Sequence, residues 1–393
     1  MKNNETIVFF YKSLLDAGGA ERLLINSYLS MKKLGYNVKV VSFVINEKAL
    51  FNSQINKNDF IKLSSRSYFG KFTKLCALLK FYKKAKIICD SGHIDIYLAS
   101  FFVKVEYSLH LHHPLFMSFN DFDKYSVFLK SKYNYWVNSN YGAIKFNDIK
   151  NNLTVFNFCF INVRSFLSFL SIKKAKNIFV LSKYAFDEKK SLFNVNSKII
   201  CGALDAKLFD KIPQYSIDGY GAFDHKILTI ARLDENKRID QIILAIESLV
   251  KKGYNVCLII GGRGPEYENL KNLVISLNLC NNIFFLGFIE EELLYSYYKL
   301  ADLFVSIDWA DYRITSYESL LAGTPVILSN EVEYDDYLVR NQYLLTCKPT
   351  ALDLEVLLEQ KLQFINSKSK LSLNDYLVNF TWDSYVKKII SYL

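Results

Sequence analysis

Residues 301–328, ADLFVSIDWADYRITSYESLLAGTPVIL, contain two apolar runs with a short helical pattern between them. Residues 303–307 and 326–328 are typical of buried strands, and a Gly-Thr-Pro break precedes the second run. Thr315 and Glu318 have the spacing of a capping box, in which a hydroxyl and a carboxylate three residues later close the start of a helix. The stretch therefore predicts a strand, a polar loop, a helix and a strand. The free amides of that helix would form an anion site at the end of a parallel sheet.

Two roles are open for Glu318. It lies within one turn of the predicted anion site, where its carboxylate would accept hydrogen bonds from ribose or sugar hydroxyls. Alternatively, it only caps its own helix. The spacing is compatible with both.

The same alternation of strands and helices extends towards the N-terminus. Strands are predicted at 226–233, 255–261 and 282–286, and helices at 240–252 and 290–299. In the first half, a strand at 6–11 is followed by a loop containing Gly18 and Gly19, a helix of about 15 residues and a strand at 38–44. The glycine pair allows a ligand to approach bare backbone at the helix start. We predict an α/β fold with two doubly wound parallel sheets, joined through a hinge near residues 205–224.

Composition narrows the functional classes. With 393 residues, 51% of them hydrophobic, the chain is long enough for two globular domains. No apolar run reaches the roughly 18 residues of a membrane span, and seven scattered cysteines without a C-x-x-C pair favour a reducing cytoplasm. Residues 1–200 contain 30 Lys and Arg against 13 Asp and Glu, whereas the remainder contains 19 against 26. A basic first half favours an anionic partner, either phospholipid headgroups, a polyprenyl phosphate or nucleic acid, with general solubility as the alternative.

Residues 62–86 are basic and aromatic and predict an amphipathic helix. Such a helix either lies on an anionic membrane or is an ordinary surface helix with solvated lysines. Residues 95–100 and 107–112 are predicted to be short strands.

Three of the five histidines cluster in His110-Leu-His112-His113-Pro114. Alternation places His110 and His112 on one side of the strand, and Pro114 ends the strand where doubly wound folds bind ligands. No carboxylate or cysteine is adjacent in sequence, so a metal site is not predicted.

Arg232 and Lys237 flank a polar turn between a strand and the following helix. Two cations beside a helix amino end would neutralise a diphosphate without a metal ion. The alternative is a pair of solvated loop charges.

The ordered set of motifs resembles the family-4 retaining glycosyltransferases (glycosyl transferases group 1), which have the two-Rossmann GT-B architecture. The resembling stretches are GGAER at 18–22, HHP at 112–114, ARLDENKR at 231–238, GGRGP at 261–265, NIFFLGF at 282–288 and YESLLAGTPVI at 317–327. The resemblance implies an acceptor-binding domain at 1–205, a nucleotide-sugar-binding domain at 206–375 and a C-terminal helix at 376–393 that crosses back. The two domains are expected to face each other across a cleft.

The resemblance also implies residue roles. His112, with His113 as the close alternative, matches the histidine near the transferred sugar, and Glu318 matches the second Glu of the E-x7-E motif. Gly18 and Gly19 match the glycine loop near the donor phosphates. The resemblance further implies that Arg232 and Lys237 bind substrate. It implies the same for four residues near the E-x7-E motif: Asp311, Arg313, Ile314 and Thr315.

The E-x7-E pattern departs from the family at its first position, where this chain has Ala310. Asp308 or Asp311 would reach the donor sugar hydroxyls instead. The expected activity is transfer of a hexose or N-acetylhexosamine from a nucleoside-diphosphate sugar to a glycan or polyprenyl-linked acceptor in surface polysaccharide biosynthesis. No cofactor or metal and no nucleic-acid partner is expected, and the expected location is the cytoplasm, in peripheral contact with an anionic membrane. The alternative is a nucleotide-sugar-binding pseudoenzyme or assembly partner.

Overall fold

The computed structural model describes residues 5–15, 18–47, 55–112, 155–204, 218–308, 313–331, 336–362 and 380–393. The chain divides into two compact units. The first comprises Met1–Ala203 and Trp382–Leu393, and the second comprises Leu204–Thr381. The last helix therefore belongs to the first unit.

The first unit is built on a parallel sheet of seven strands. Two further short strands, β2 (Ser13–Leu14) and β4 (Val44–Ile45), form a separate parallel pair. The seven strands of the main sheet are β1 (Thr6–Phe10), β3 (Asn37–Ser42), β5 (Phe60–Lys62), β6 (Lys86–Cys89), β7 (Ser108–Leu111), β8 (Ile178–Val180) and β9 (Lys198–Ile199). Their order is β5-β3-β1-β6-β7-β8-β9. The strand order reverses between β1 and β6, and such a switch point is where doubly wound sheets bind ligands.

Six helices belong to the described part of this unit: α1 (Gly19–Lys33), α2 (Tyr68–Phe81), α3 (His93–Val103), α4 (Val155–Lys174), α5 (Lys183–Phe193) and, from the C-terminus, α12 (Trp382–Ile390). The predicted strand at 95–100 is wrong, because these residues lie within α3. The helix packs against both α2 and α4, and its residues 95–97, 99 and 100 are all buried. A helix covered on two sides lacks the single apolar stripe that distinguishes helix from strand in a sequence.

The second unit is a parallel sheet of six strands: β10 (His225–Ile230), β11 (Val256–Gly261), β12 (Ile283–Gly287), β13 (Leu303–Ser306), β14 (Val326–Ser329) and β15 (Leu344–Cys347). Their order, β12-β11-β10-β13-β14-β15, is the 3-2-1-4-5-6 order of a Rossmann sheet. The predicted α/β class with two doubly wound sheets is confirmed.

The helices of the second unit are α6 (Ile239–Lys251), α7 (Tyr267–Ser276), α8 (Glu291–Leu300), α9 (Ile314–Leu321), α10 (Asp336–Arg340) and α11 (Ala351–Leu362). The isoleucines of α6 pack with β11 and β13 into a continuous apolar core. In this sheet the order reverses between β10 and β13, so the loops after these two strands meet at its switch point.

Across the described residues, no helix combines the length and the apolar character required to cross a membrane.

Candidate functional site

The loop after β10 is held by backbone packing against the glycine motif after β11. The amides of Ala231 and Leu233 donate to the carbonyl oxygens of Gly261 and Arg263, both at 3.0 Å. A Cβ on Gly262 would lie 1.8 Å from the carbonyl oxygen of Ala231, and the φ of Gly262 is +128°. Only glycine fits there, so this part of the motif serves to position the loop that carries Arg232 and Lys237.

The loops after β10 and β13 are joined through Asp308. The Nζ of Lys237 lies 2.6 Å from Asp308 Oδ2, and the Nε of Arg313 donates to Oδ1 at 3.0 Å. The Oγ of Ser306 donates to the same oxygen at 2.7 Å, and an Arg313 Nη2 hydrogen bond reaches the Asp308 main-chain carbonyl. These contacts bring two predicted residues, Lys237 and Arg313, to one carboxylate.

The cluster of Lys237, Arg313 and Asp308 contains two cations and one carboxylate. Burial alone would raise the pKa of the Asp308 carboxyl, but the Arg313 and Lys237 cations hold it well below its usual range. Asp308 is therefore ionised at neutral pH, and the three side chains together carry one net positive charge. A single anion balancing two cations leaves a site that attracts a second anion.

Helix α9 begins beside this cluster. Its N-cap is Arg313, with no side-chain capping hydrogen bond, and its first residue is Ile314. The capping box predicted for Thr315 and Glu318 is therefore wrong, because Thr315 already lies inside the helix. The first amides of α9 are left to bind an anion. Ser316 lies in the first turn of α9. Its Oγ is buried and has no hydrogen-bond partner among the residues that the structure describes.

Glu318 faces the interior of the second unit. It is buried, and its Oε2 accepts a hydrogen bond from the hydroxyl of Tyr298 on α8 at 3.0 Å. Of the two predicted roles, helix capping is excluded by the position of the helix start. The role in binding ribose hydroxyls stays a prediction.

The remaining cations of the β10 loop differ in exposure. The Arg232 side chain is 72% exposed, and its Nε lies 3.2 Å from Asp234 Oδ2. Arg238, which was not predicted as a site residue, donates to the Ile307 carbonyl at 3.1 Å and to Glu331 at 2.6 Å. Arg238 thus ties the β10 loop to β13, whereas Arg232 is accessible to a ligand.

In the first unit, the glycine loop lies at the start of α1. Gly18 is the N-cap and Gly19 the first helical residue. Glu21, in the first turn, accepts a hydrogen bond from the Tyr11 hydroxyl at 2.9 Å. The ring of Tyr11 lies 6.5 Å from that of His112, centroid to centroid. The structure therefore connects the predicted glycine loop to the predicted histidine through Tyr11 and Glu21.

His112 belongs to a buried polar cluster. His110 Nδ1 lies 2.9 Å from Asp90 Oδ1, and His112 Nε2 lies 3.6 Å from the same oxygen. His110 Nε2 lies 2.7 Å from the Tyr385 hydroxyl on α12. The predicted placement of His110 and His112 on one side of the strand agrees with their ring centroids, 4.4 Å apart.

Asp90 is the carboxylate that the linear sequence did not place beside the histidines. It directly follows β6, whereas His110 lies in β7, the neighbouring strand. One ligand atom each from Asp90, His110 and His112 lies within 4.8 Å of the others, and among the described residues this cluster is the one with the composition of a cation site. The expectation that no metal is required stays a prediction.

Two predicted substrate-binding residues, His113 and Asp311, lie outside the described residues. Asp308, the alternative named for the donor sugar, is buried and engaged with Lys237, Arg313 and Ser306.

The match to a protein-family model lies within the second unit. Residues 223–372 match the family model for glycosyl transferases group 1. An uncharacterized glycosyltransferase from Methanocaldococcus jannaschii is 28% identical over 175 residues, which are 42% of this chain and 45% of that protein. The alpha-monoglucosyldiacylglycerol synthase of Streptococcus pneumoniae is 32% identical over 102 residues, 26% of this chain and 23% of the synthase. The chain thus spans less than half the length of these curated relatives.

Solved structures match along nearly the whole chain. Anabaena HepE in complex with UDP superposes with a TM-score of 0.67 at 16% identity, covering 98% of each chain. WaaG, a glycosyltransferase involved in lipopolysaccharide biosynthesis, superposes with a TM-score of 0.68 at 13% identity, also covering 98% of each chain. At these identities the likeness shows the fold alone. The second unit thus matches the family model for glycosyl transferases group 1, and the two Rossmann-like sheets have the GT-B fold of the solved neighbours.

Proposed function

We propose that the chain transfers a hexose or N-acetylhexosamine from a nucleoside-diphosphate sugar to a glycan or lipid-linked acceptor, with retention of anomeric configuration, in surface polysaccharide biosynthesis. The observation that carries this proposal is the meeting of Lys237, Arg313 and the start of α9 around Asp308. The net positive charge and the open helix amides suit the diphosphate of a donor.

The chemistry required of these residues is electrostatic. Negative charge develops on the diphosphate as the sugar leaves, and Arg232, Lys237 and the α9 amides would stabilise it. Glu318, positioned by Tyr298, would accept hydrogen bonds from the ribose. His112 would lie near the transferred sugar, and the acceptor hydroxyl would have to be held on the same face of that sugar for retention.

The donor is identified by thermal shift with a panel of nucleotide sugars, because a ligand at 100 times its Kd stabilises the folded state by about 2.7 kcal/mol. In Lys237→Ala, we expect donor affinity or turnover to fall on the order of a hundredfold. Each shift is measured against the ligand-free form of the same variant, since the substitution also removes one of the cations that pair with Asp308. Lys251→Ala is the matched control, because Lys251 pairs with Glu247 on the surface of α6. Equal donor affinity in both variants would contradict the diphosphate assignment.

The alternative function, a nucleotide-sugar-binding pseudoenzyme, is separated from the enzyme by turnover. Donor hydrolysis or transfer to a lipid-linked acceptor, followed by NMR of the anomeric proton, supports the enzyme. Tight donor binding without either reaction supports the pseudoenzyme.

We further propose peripheral contact with an anionic membrane through α2, α3 and α4, which we call the aromatic face. Phe69 on α2 and Phe102 on α3 are 74% and 75% exposed, and Phe166 on α4 is exposed as well. The rings of Phe72 and Phe102 lie 6.0 Å apart, and the Nζ of Lys174 lies 4.0 Å from the centroid of Phe101. The face therefore combines exposed aromatic rings with a cation that lies over the Phe101 ring.

Charge complementarity favours anionic lipid as the partner of this face. The three helices contain six Lys and Arg residues and a single carboxylate, Asp95. Asp95 is buried and pairs with Lys12 at 3.1 Å. Exposed phenylalanines with flanking cations and no exposed carboxylate match the headgroup region of an anionic bilayer. The lipid product in the name of the Streptococcus pneumoniae synthase is consistent with an acceptor at a membrane.

Vesicle co-sedimentation tests the aromatic face. We expect binding to vesicles containing anionic lipid, weaker binding at high salt, and a loss of on the order of tenfold in Phe69→Ser/Phe102→Ser. Leu352→Ser is the control, because Leu352 is 69% exposed on α11 of the second unit. Equal binding by the double variant and the control would exclude this face.

A further inference from the structure

Buried polar atoms without hydrogen-bond partners collect at one edge of the first sheet. Within the described parts of the chain, they include Asp90 Oδ2, Asp95 Oδ1 and His112 Nδ1. Asp90 directly follows β6, Asp95 lies in the first turn of α3, and His112 directly follows β7. All three lie at the carboxyl end of the sheet, beside the switch point between β1 and β6. Unsatisfied buried polar groups are rare in folded proteins, so this group indicates a polar ligand.

Lys12, two residues after β1, belongs to the same edge. Its Nζ lies 3.1 Å from Asp95 Oδ2 and 5.4 Å from the ring centroid of Tyr68, the first residue of α2. A Cβ on Gly92 would lie 3.1 Å from both Lys12 Cβ and Asp95 Oδ2, so the loops after β1 and β6 are packed closely together. The Asp95 side chain is 2% exposed, whereas that of Lys12 is 47% exposed. A ligand can therefore reach the lysine from solvent.

The two carboxylates determine which groups the ligand must supply. Burial raises the pKa of the Asp90 carboxyl, but the two neighbouring imidazoles lower it to about 2, so Asp90 is an anion at neutral pH. Burial also raises the pKa of the Asp95 carboxyl, whereas the Lys12 and Arg164 cations lower it. The ion pair with Lys12 requires the ionised form of Asp95. An ionised carboxylate oxygen accepts hydrogen bonds and donates none, so the ligand has to bring O–H or N–H groups.

A sugar hydroxyl meets these requirements, because it donates one hydrogen bond and also accepts. Sugar hydroxyls would donate to the open oxygens of Asp90 and Asp95 and accept from the Nζ of Lys12. A hydroxyl would also complete His112 Nδ1 in either tautomer of that ring. An ionised phosphate offers only acceptors and would leave both carboxylate oxygens without a donor.

The balance of charge at this edge is opposite to that of the candidate diphosphate site. In the second unit, two cations, Lys237 and Arg313, contact one buried carboxylate. In the first unit, two carboxylates are buried: Asp90 contacts imidazoles, and Asp95 already pairs with Lys12. A phosphate would have to compete with Asp95 for Lys12 while lying beside a second anion. The charges therefore favour an uncharged ligand.

We propose that this edge binds the hydroxyls of an uncharged acceptor sugar, with Lys12, Asp90 and Asp95 as its binding residues. The proposal rests on the proposed function and narrows its acceptor to a molecule that already ends in a sugar. In the reaction, the acceptor oxygen bonds to the anomeric carbon of the donor and the bond from that carbon to the diphosphate breaks. The hydroxyl proton is released with the nucleoside diphosphate. Where the acceptor is carried on a lipid phosphate, a separate transfer reaction must first attach a sugar to that lipid.

Binding of matched octyl ligands tests the proposal without a donor. Saturation-transfer NMR and thermal shift compare a panel of octyl hexosides and octyl N-acetylhexosaminides with octyl phosphate, below their micelle concentrations and in EDTA. The octyl chain is common to all of them, so differences report the head group. We expect at least one glycoside to bind about tenfold more tightly than octyl phosphate.

Asp95→Asn provides a result that structural damage would not give. It removes the carboxylate that pairs with Lys12, so we expect glycoside binding to weaken about tenfold while binding of octyl phosphate becomes tighter. Lys12→Met should weaken glycoside binding without any gain for octyl phosphate. Lys33→Met is the matched control, because Lys33 is a 73% exposed lysine of the same unit that pairs with Asp383 at 3.0 Å. We expect the control to bind both ligands like the wild type.

Transfer assays extend the test once a donor is identified. Polyprenyl phosphate should not accept a sugar, whereas the same lipid carrying a sugar on its phosphate should. Transfer to polyprenyl phosphate overturns the proposal while leaving the proposed function intact.

The binding measurements also have outcomes that overturn the proposal. These are tighter binding of octyl phosphate than of every glycoside, no glycoside binding, and unchanged glycoside binding in both Asp95→Asn and Lys12→Met. If Asp95→Asn does not fold, Lys12→Met alone decides. Glycoside binding seen only when Zn²⁺ or Ca²⁺ replaces EDTA would assign the carboxylates to a metal ion instead. Because no donor is present, these results are independent of the donor-binding experiments on Lys237→Ala.

Discussion

Substitution of Asp308 by Asn removes the only anion among the three charged side chains that join the β10 and β13 loops. Asn keeps the shape of the side chain but removes the carboxylate that pairs with Lys237 and Arg313. Breaking a buried ion pair by removing one partner costs about 3–5 kcal/mol. The Lys237 side chain is 24% exposed, and Arg313 keeps its hydrogen bond to the main-chain carbonyl of residue 308. We therefore expect a destabilisation near the lower limit, about 3 kcal/mol.

Differential scanning calorimetry measures this effect. For a unit the size of Leu204–Thr381, 1 kcal/mol shifts the melting temperature by about 2–4 °C, so the transition of the second unit should fall by about 6–12 °C. Glu331→Gln is the matched control, because it removes the partner of Arg238 from a pair whose side chains are 29% and 30% exposed. Such a pair contributes about 0–1 kcal/mol.

The effect also depends on pH with a defined sign. The pKa of Asp308 in the folded protein lies below that of the unfolded chain, so its stabilisation is complete above an unfolded-state pKa of about 3.9. It is lost as the pH falls through the folded-state pKa. The difference in melting temperature between wild type and Asp308→Asn should therefore be constant near neutral pH and shrink below about pH 4. A difference of less than about 2 °C at neutral pH would refute the assignment of Asp308 as the buried counter-ion.

Two further substitutions test the backbone and side-chain supports of the second unit. Gly262→Ala places a Cβ 1.8 Å from the Ala231 carbonyl oxygen, and we expect a destabilisation of about 2–3 kcal/mol with weaker donor binding. Gly253→Ala has a similar positive φ but open space around it, so the difference between the two melting temperatures isolates the clash, and equal values would contradict it. Tyr298→Phe removes the donor to Glu318, and we expect a loss of about 1.5–3 kcal/mol in calorimetry and a smaller donor-induced thermal shift. An unchanged donor-induced shift would exclude Glu318 from the donor site.

The strands and most helices could be predicted because each has a clear hydrophobic period. The strand β11 is buried throughout, and α6 has one apolar stripe. The prediction was wrong at 95–100, since α3 is covered by helices on two sides and its apolar residues are not confined to one stripe. A six-residue apolar run does not distinguish a buried helix from a buried strand.

The residues of the candidate site could be predicted in part. Lys237 and Arg313 were predicted as cations near an anion, but Asp308 as their shared counter-ion depends on the adjacency of β10 and β13, which is a property of the sheet. The role of Glu318 as a cap was wrong because the helix begins at Ile314 and Tyr298 binds its carboxylate. Residue spacing describes a single segment, whereas these contacts join separate segments.

Asp90 and Tyr385 had no signal in the sequence at all. Asp90 is 20 residues from His110, and Tyr385 is 275 residues from it. An aspartate after a strand and a tyrosine in an amphipathic helix are common features, so neither one indicates a site. Only the return of α12 to the first unit brings Tyr385 to the end of β7.

The charges of the second unit favour a site that binds a diphosphate and then releases it. Lys237, Arg313 and Asp308 carry one net positive charge, and the amino end of α9 adds the equivalent of about half a charge. Arg232 and Arg238 are each paired with a carboxylate, Asp234 and Glu331. A diphosphate product would therefore be neutralised only in part, which lowers its affinity relative to complete charge matching. Since product release limits many enzymes, incomplete neutralisation by Asp308 would favour turnover over tight binding.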